Sequence, residues 1–243
     1  MTGPVEPGLV RRRVYLLRHG DVAYFDADGR PVNPRNVRLT ERGVAEARAV
    51  ADLLNGEAID RAVTSGLPRT RETAELALAG RAIAIEDEAE LAEIRGGRFA
   101  DVVPERALDA IAHAYDGAAT GGAWFGHGER FADFESRVLG AVRRLVADPG
   151  WRRLLLVGHD AVNRAILCWA AGTGLGAMAA FEQDYGGLSI FDVDADEATG
   201  TVRRTYLRAV NLTPLDPAKR ERWQTSMEPV YRRYVEARRK GHL

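Results

Sequence analysis

The stretch Val14-Tyr15-Leu16-Leu17-Arg18-His19-Gly20-Asp21 decides how the chain is read. It begins as a short apolar run and stops at a cation, an imidazole and a glycine. Such a run is long enough for a buried strand and too short for a helix. A buried strand ending in Arg-His-Gly sets polar groups at a sheet edge, where open α/β folds hold ligands. Alone, the tripeptide has an ordinary explanation: His19 is hydrogen-bonded in a core and Arg18 pairs with a carboxylate. The residues that follow decide between that explanation and a site.

Outward from this stretch, strand and helix signals alternate. Residues 12–18 read as the first strand, and Asp26-Ala27-Asp28-Gly29 with Pro31 and Pro34 marks a turn-rich loop. Thr40 is placed to cap a helix over about 41–54, where Val44, Ala47, Val50, Ala51 and Leu54 fall at helical spacing. A second strand runs from Ile59 to Thr64, a helix starts near Pro68, and residues 82–86 alternate as a strand. Phe131, Phe134, Val138, Val142 and Leu145 form a helical stripe, and Arg153 to Val157 is the most apolar strand. A helix over about 161–172 follows, then a short helix to about 182 and strands at 187–193 and 201–208 joined by an acidic turn.

This alternation predicts a three-layer α/β/α fold with a mostly parallel central sheet. Residues 1–10 read as a loose leader and 11–243 as a single domain. Within it, 95–128 reads as a cap segment, with a helix over about 104–115, because long connections often bind substrate or cover it. A C-terminal helix over about 216–239 puts Trp223, Met227, Val230, Tyr231 and Tyr234 on one face. That face packs on the body or on a second copy of the chain, as in a homodimer.

Bulk properties narrow the function. With 243 residues, 46% hydrophobic and 28% charged, the chain has ample core for a globular domain. A net charge of −1 gives no global attraction to nucleic acid or to an anionic membrane, and no apolar run reaches membrane-spanning length. The single cysteine, Cys168, excludes an internal disulfide and sits in an apolar helical segment as a small core residue. The first residues lack the basic-then-apolar order of a signal peptide, so a cytoplasmic location is the expectation.

Three strand ends carry unusual polar residues: Arg18-His19-Gly20, Thr64-Ser65 with Arg69 beyond, and Gly158-His159-Asp160. In a parallel sheet the C-terminal strand ends share one edge, so two arginines and two histidines can converge there. That set suits a phosphoryl group. Arginine's planar fork matches phosphate oxygens and stays charged. A neutral imidazole can attack phosphorus and later depart. A second imidazole can donate to charge developing on the phosphoryl oxygens.

The chain here resembles the histidine phosphatase superfamily, branch 1, with its phosphoglycerate mutase-like fold. Arg18-His19-Gly20 resembles its signature, and Leu39-Thr40-Glu41-Arg42-Gly43 the motif that follows it. The run from Thr64 to Ala74 is similar to the second motif, and Leu91-Ala92-Glu93-Ile94 with Gly97 to the acid motif. Gly128-Glu129-Arg130-Phe131 with Phe134 and Arg137 resembles the helix entry before the last core strand, and Val157-Gly158-His159-Asp160 the final histidine motif. Together these span roughly residues 12–170 in the family's order.

The resemblance implies that His19 is the nucleophile and becomes a phosphohistidine. It implies that Arg18, Arg69 and His159 bind the phosphoryl group, and that Glu93 is the general acid and then the base. Glu88, Glu90 and Asp101 lie near enough in sequence to compete for that last role. No metal and no cofactor is implied, and no Cys/His cluster has metal-ligand spacing. His113 and His127 read as ordinary or substrate-edge residues, and Asp21 and Asp160 as loop-orienting ones.

Two stretches depart from the pattern. After Gly20 the chain reads Asp21-Val22-Ala23-Tyr24-Phe25, without the family's hydroxyl residue and asparagine. Tyr24 and Phe25 are expected to line the pocket mouth and favour a substrate with an apolar body. After the acid, Gly97-Arg98-Phe99-Ala100-Asp101 replaces the usual sequence, and Arg98 is an added candidate for substrate binding. Phosphoglycerate mutases in the family carry an Arg-His-Tyr-Gly stretch and an adjacent arginine pair after the acid; residues 94–128 have neither. The leading expectation is therefore a phosphatase for a small phosphorylated metabolite. The alternatives are a phosphomutase and a non-catalytic domain that binds a phosphorylated ligand.

Overall fold

The computed structural model describes residues 6–26, 32–220 and 222–241. Its centre is β1 (Leu9–Arg18), whose apolar half is buried on both sides. Alternate side chains go to opposite faces, as a strand requires. Val14 and Leu16 join one apolar cluster, and Tyr15 and Leu17 join the other. The remaining elements are α1 (Glu41–Leu53), β2 (Arg61–Thr64), α2 (Pro68–Ala77), β3 (Ile85–Asp87) and α3 (Phe131–Ala147). Then come β4 (Arg153–Gly158), α4 (Asp160–Ala171), β5 (Leu188–Asp196), β6 (Val202–Leu212) and α5 (Glu228–Arg239).

The six strands form one sheet in the order β3-β2-β4-β1-β5-β6. β3, β2, β4 and β1 are mutually parallel, and β5 and β6 add an antiparallel hairpin. Residues of α1 and α2 pack with Leu155 and Val157 on one face. Residues of α3 and α4, with Met227 and Tyr234 from the C-terminal segment, pack with Leu154 and Leu156 on the other. The sheet is thus covered on both sides, the arrangement that all-apolar parallel strands demand.

Register brings the polar strand ends level. Arg18 lies opposite Gly158, and Thr64 opposite Val157. The arginines of the preceding run are absorbed by the sheet: Arg11 and Arg13 pair with Asp194 and Asp192 of β5 at 2.7 Å, and Arg12 donates to the carbonyls of Val146 and Asp148 at the end of α3. Behind the first strand end, the chain at Gly20 touches the start of α1. A Cβ on Gly20 would lie 2.4 Å from the carbonyl oxygen of Gly43, and Thr40 locks the contact by capping the Gly43 amide and donating to Asp21. This explains why Leu39-Thr40-Glu41-Arg42-Gly43 accompanies Arg18-His19-Gly20.

Several boundaries differ from expectation. The first strand starts at Leu9, so residues 9 and 10 belong to the sheet and not to a leader; residues 1–5 lie outside the described part. The third strand is shorter and later, because only Ile85 to Asp87 finds a partner on β2. The helix expected over about 104–115 is instead a 3-10 turn at Pro104–Arg106 and a π turn at Leu108–Ala112. Burial of Ile111, Ala112 and Tyr115 against the body overrides local helical preference there. The segment to 182 holds only a 3-10 turn at Gly174–Ala177.

The C-terminal helix starts at Glu228, not near 216, with Pro229 in its first turn. Of its expected apolar face, Met227 and Tyr234 are buried on the body, whereas Trp223 precedes the helix and is 90% exposed. Among the described residues no helix is long and apolar enough to cross a membrane.

Candidate active site

His19 follows directly on β1 and is held by backbone at both ends. Its amide donates to Gly158 of β4 at 3.1 Å, and its carbonyl accepts from Gly186 at 3.2 Å. Its ring is almost fully buried, and Nδ1 lies 2.8 Å from the Gly20 carbonyl. A carbonyl only accepts, so Nδ1 carries the proton and Nε2 keeps its lone pair. That lone pair faces Arg69, whose Nε–H donates to it at 3.2 Å. Burial, and after it the charges of Arg69 and Arg18, hold the imidazole well below its ordinary pKa. His19 is therefore a neutral imidazole with its unprotonated nitrogen pointed at a guanidinium.

Arg69 enters from the first turn of α2 and ties the cluster together. Besides His19 it reaches His159 Nδ1 at 3.3 Å and the Pro34 carbonyl at 2.6 Å. Since arginine only donates, His159 Nδ1 is an acceptor and its Nε2 carries the proton. Nε2 then donates to Ser65 Oγ at 2.8 Å. Thr70 spends its hydroxyl proton on the Leu67 carbonyl, so Ser65 donates to Thr70 at 3.1 Å. The chain of bonds runs in one direction, from His159 through Ser65 and Thr70 to Leu67. Burial, then Arg69, His19 and Arg18, lowers the His159 pKa well below the ordinary imidazole value. The two imidazoles stand edge to face, with ring centroids 5.2 Å apart.

Arg18 is buried beside them. It donates to the Gln183 carbonyl at 2.6 Å, and Asp160 stands 4.0 Å away. Burial raises the Asp160 carboxyl, but Arg164 and Arg18 outweigh it and hold the group below the usual carboxylate range. Arg164 pairs with Asp160 at 2.6 Å, so Asp160 is a buried anchor for two arginines.

Glu93 leaves the turn after Ala89–Leu91 and reaches α4. One carboxylate oxygen accepts the Ala161 amide at 3.3 Å and the other the Ile94 amide at 2.9 Å. Arg137 of α3 fixes this loop by donating to the carbonyls of Ala92 and Glu93 and to Glu129. Burial, and next the charge of Asp160, pushes the Glu93 carboxyl above its ordinary value against the pull of Arg18 and the two amides. Of the competing acids, Glu88 pairs with Arg144, while Glu90 and Asp101 are exposed. None of the three makes a bond to the histidine cluster.

Five of the expected residues, Arg18, His19, Arg69, Glu93 and His159, thus gather at one sheet edge. Tyr24 also lies there, its ring 5.9 Å from the Arg69 guanidinium. Arg98 does not: it is exposed, its amide pairs with Gly126, and its side chain makes no bond to the cluster among the described residues. His113 is exposed and paired with Asp109, and His127 sits at a positive φ of 63° in the 95–128 connection.

Tyr185 escaped sequence reasoning. Its ring lies 4.0 Å from the Arg18 guanidinium and 5.5 Å from the His19 ring. The only signal was the following Gly186-Gly187 pair, whose backbones bond His19 and Arg18.

Comparison with known proteins agrees with this geometry. The family model of the histidine phosphatase superfamily (branch 1) matches residues 14–205. The chain belongs to that superfamily. It is similar to the adenosylcobalamin/alpha-ribazole phosphatase of Escherichia coli strain K12, with 29% identity over 77% of this chain and 93% of that protein. It is also similar to a probable phosphoglycerate mutase of Photorhabdus laumondii, with 32% identity over 60% of this chain and 69% of that protein. Among solved structures, a putative alpha-ribazole-5'-P phosphatase from Escherichia coli superposes with a TM-score of 0.65 at 27% identity, covering 82% of this chain and 96% of the other.

Proposed function

We propose that the protein is a phosphomonoester hydrolase for a small phosphorylated metabolite, working through a phosphohistidine on His19. The observation that carries this reading is the state of His19: a neutral imidazole with a proton fixed on Nδ1 and an unprotonated Nε2 that accepts from Arg69, between two buried arginines. In the first step the Nε2 lone pair forms the P–N bond as the P–O bond to the alcohol breaks. Glu93, protonated, gives its proton to the departing alkoxide. In the second step ionised Glu93 takes a proton from water, the hydroxide oxygen bonds phosphorus, and the P–N bond breaks to restore His19.

Arg69 changes partner in this scheme. The N–H now on His19 Nε2 turns to a phosphoryl oxygen and frees the lone pair. Arg18 offers the second cation. Phosphoryl charge opposes the guanidinium charges that depress His159, which favours a proton on its Nδ1. Ser65 can reverse its hydroxyl and donate into Nε2, the arrangement that accompanies that tautomer. These fixed donors in a buried site stabilise the transferring group.

The cations around the phosphoryl position are arginines, so activity is expected to survive EDTA unchanged. Loss of activity on chelation, restored by a divalent ion, is the opposite result.

A mutase reading has support from the relative named a probable phosphoglycerate mutase. Residues 94–128, however, hold no adjacent arginine pair to grip a substrate carboxylate. Parallel assays of phosphate release and of phosphoglycerate isomerisation separate the two; release without isomerisation is expected.

A further inference from the structure

A cavity of about 400 Å³ opens beside Arg18. One wall is the loop after β1, carrying Tyr24 and Phe25; the other is the segment 222–226 and the first turns of α5, carrying Pro229, Val230 and Arg233. The family model matches only to residue 205, so this second wall lies outside the part it covers. Aromatic faces lead away from the phosphoryl position. Tyr185 and Tyr24 stand against Arg18 and Arg69, and Phe25 lies farther out with the Arg233 guanidinium 5.3 Å from its ring centre.

The charges along this path are largely spoken for. Arg222 pairs with Glu46 and Asp184 at 3.1 Å each, and Lys219 also pairs with Asp184. Asp21 accepts the Thr40 hydroxyl. Among the described residues Arg233 has one ion pair, a long one to exposed Glu236 at 3.9 Å, and its guanidinium carbon lies over the Phe25 ring. What the cavity offers beyond Arg18 is planar and apolar surface rather than a ring of free cations. Aromatic faces and stacked guanidinium groups favour planar rings over aliphatic chains.

We propose that this cavity holds the organic part of the substrate and selects phosphomonoesters of alcohols that carry a planar ring, with Phe25 and Arg233 as the stacking pair. The proposal rests on the hydrolase reading above. Phenethyl phosphate and propyl phosphate test it, since both release a primary alkoxide and differ chiefly in the ring. The wild-type protein is expected to favour phenethyl phosphate in kcat/KM by about tenfold, the scale of one aromatic pair with its buried area. Phe25→Ala is expected to cut that preference to about threefold or less, by raising KM for phenethyl phosphate more than KM for propyl phosphate. Arg233→Ala, at an exposed position, is expected to lower it partway without disturbing the fold.

Equal kcat/KM for the two esters in the wild type, or a preference that survives both substitutions, overturns the proposal. If propyl phosphate is hydrolysed in a His19-dependent way without ring preference, only this inference falls. If a well-folded protein hydrolyses neither ester, the hydrolase reading falls and the inference with it.

Discussion

His19→Ala is expected to abolish phosphate release, lowering kcat by a factor on the order of 10⁴ or more, while the protein stays folded. The two halves of this expectation have different physical origins. Turnover is lost because, among the described residues, the other imidazole of the cluster, His159, has its ring centre 5.2 Å away and its Nε2 proton directed to Ser65. The fold persists because β1 is anchored by Val14 to Leu17 and by backbone bonds, and the His19 amide still reaches Gly158 without its ring. Circular dichroism and a thermal melt check the fold, and phosphate release checks the chemistry. Undiminished activity in a well-folded His19→Ala protein would sink the mechanism.

Glu93→Gln is the second large effect. The amide cannot protonate a leaving alkoxide, so kcat for an alkyl phosphate is expected to fall by about 10² to 10⁴. An ester with a stable leaving group, such as p-nitrophenyl phosphate, needs no such proton, and its first step is expected to be spared. The pH profile carries the same information. The first step needs Glu93 protonated, so activity on alkyl esters falls as pH rises through the Glu93 pKa. Burial and Asp160 raise that pKa, which moves the fall upward from the ordinary carboxylate range. His19 must be neutral, and its lowered pKa moves the opposing acidic limb well below the ordinary imidazole value. Glu93→Gln is expected to remove the alkaline limb alone. Equal losses for both esters, with the limb retained, assign the proton to another group.

The catalytic edge was legible because it is written locally. β1, β2 and β4 each carry an apolar run that ends in polar residues, and parallel register makes those ends level. The two-sided burial of β1 followed from the same run. The 95–128 connection was not legible in detail. Its apolar spacing around Ile111 is compatible with a helix, and only contact with the body selects a π turn instead.

Distant partners were hidden for a related reason. Tyr185 meets His19 through a loop 166 positions later, and α5 completes a cavity begun by Tyr24 and Phe25; neither meeting is written in the local pattern of one segment. Arg98 illustrates the converse. A cation close in sequence to the acid motif looked like a substrate ligand, yet the chain at Gly97 lies against Gly126, whose carbonyl a Cβ would overlap, and Arg98 is exposed.

The central claim, a phosphoryl group carried by His19, is tested most directly by trapping it. The protein is mixed with a rapidly hydrolysed phosphomonoester, quenched in alkali within the turnover time, digested and examined by mass spectrometry. A phosphoryl adduct on the peptide containing His19, stable in alkali, lost in acid and absent from His19→Ala, is the predicted result. Product formation with no adduct, or an adduct on His159 in its place, contradicts the account.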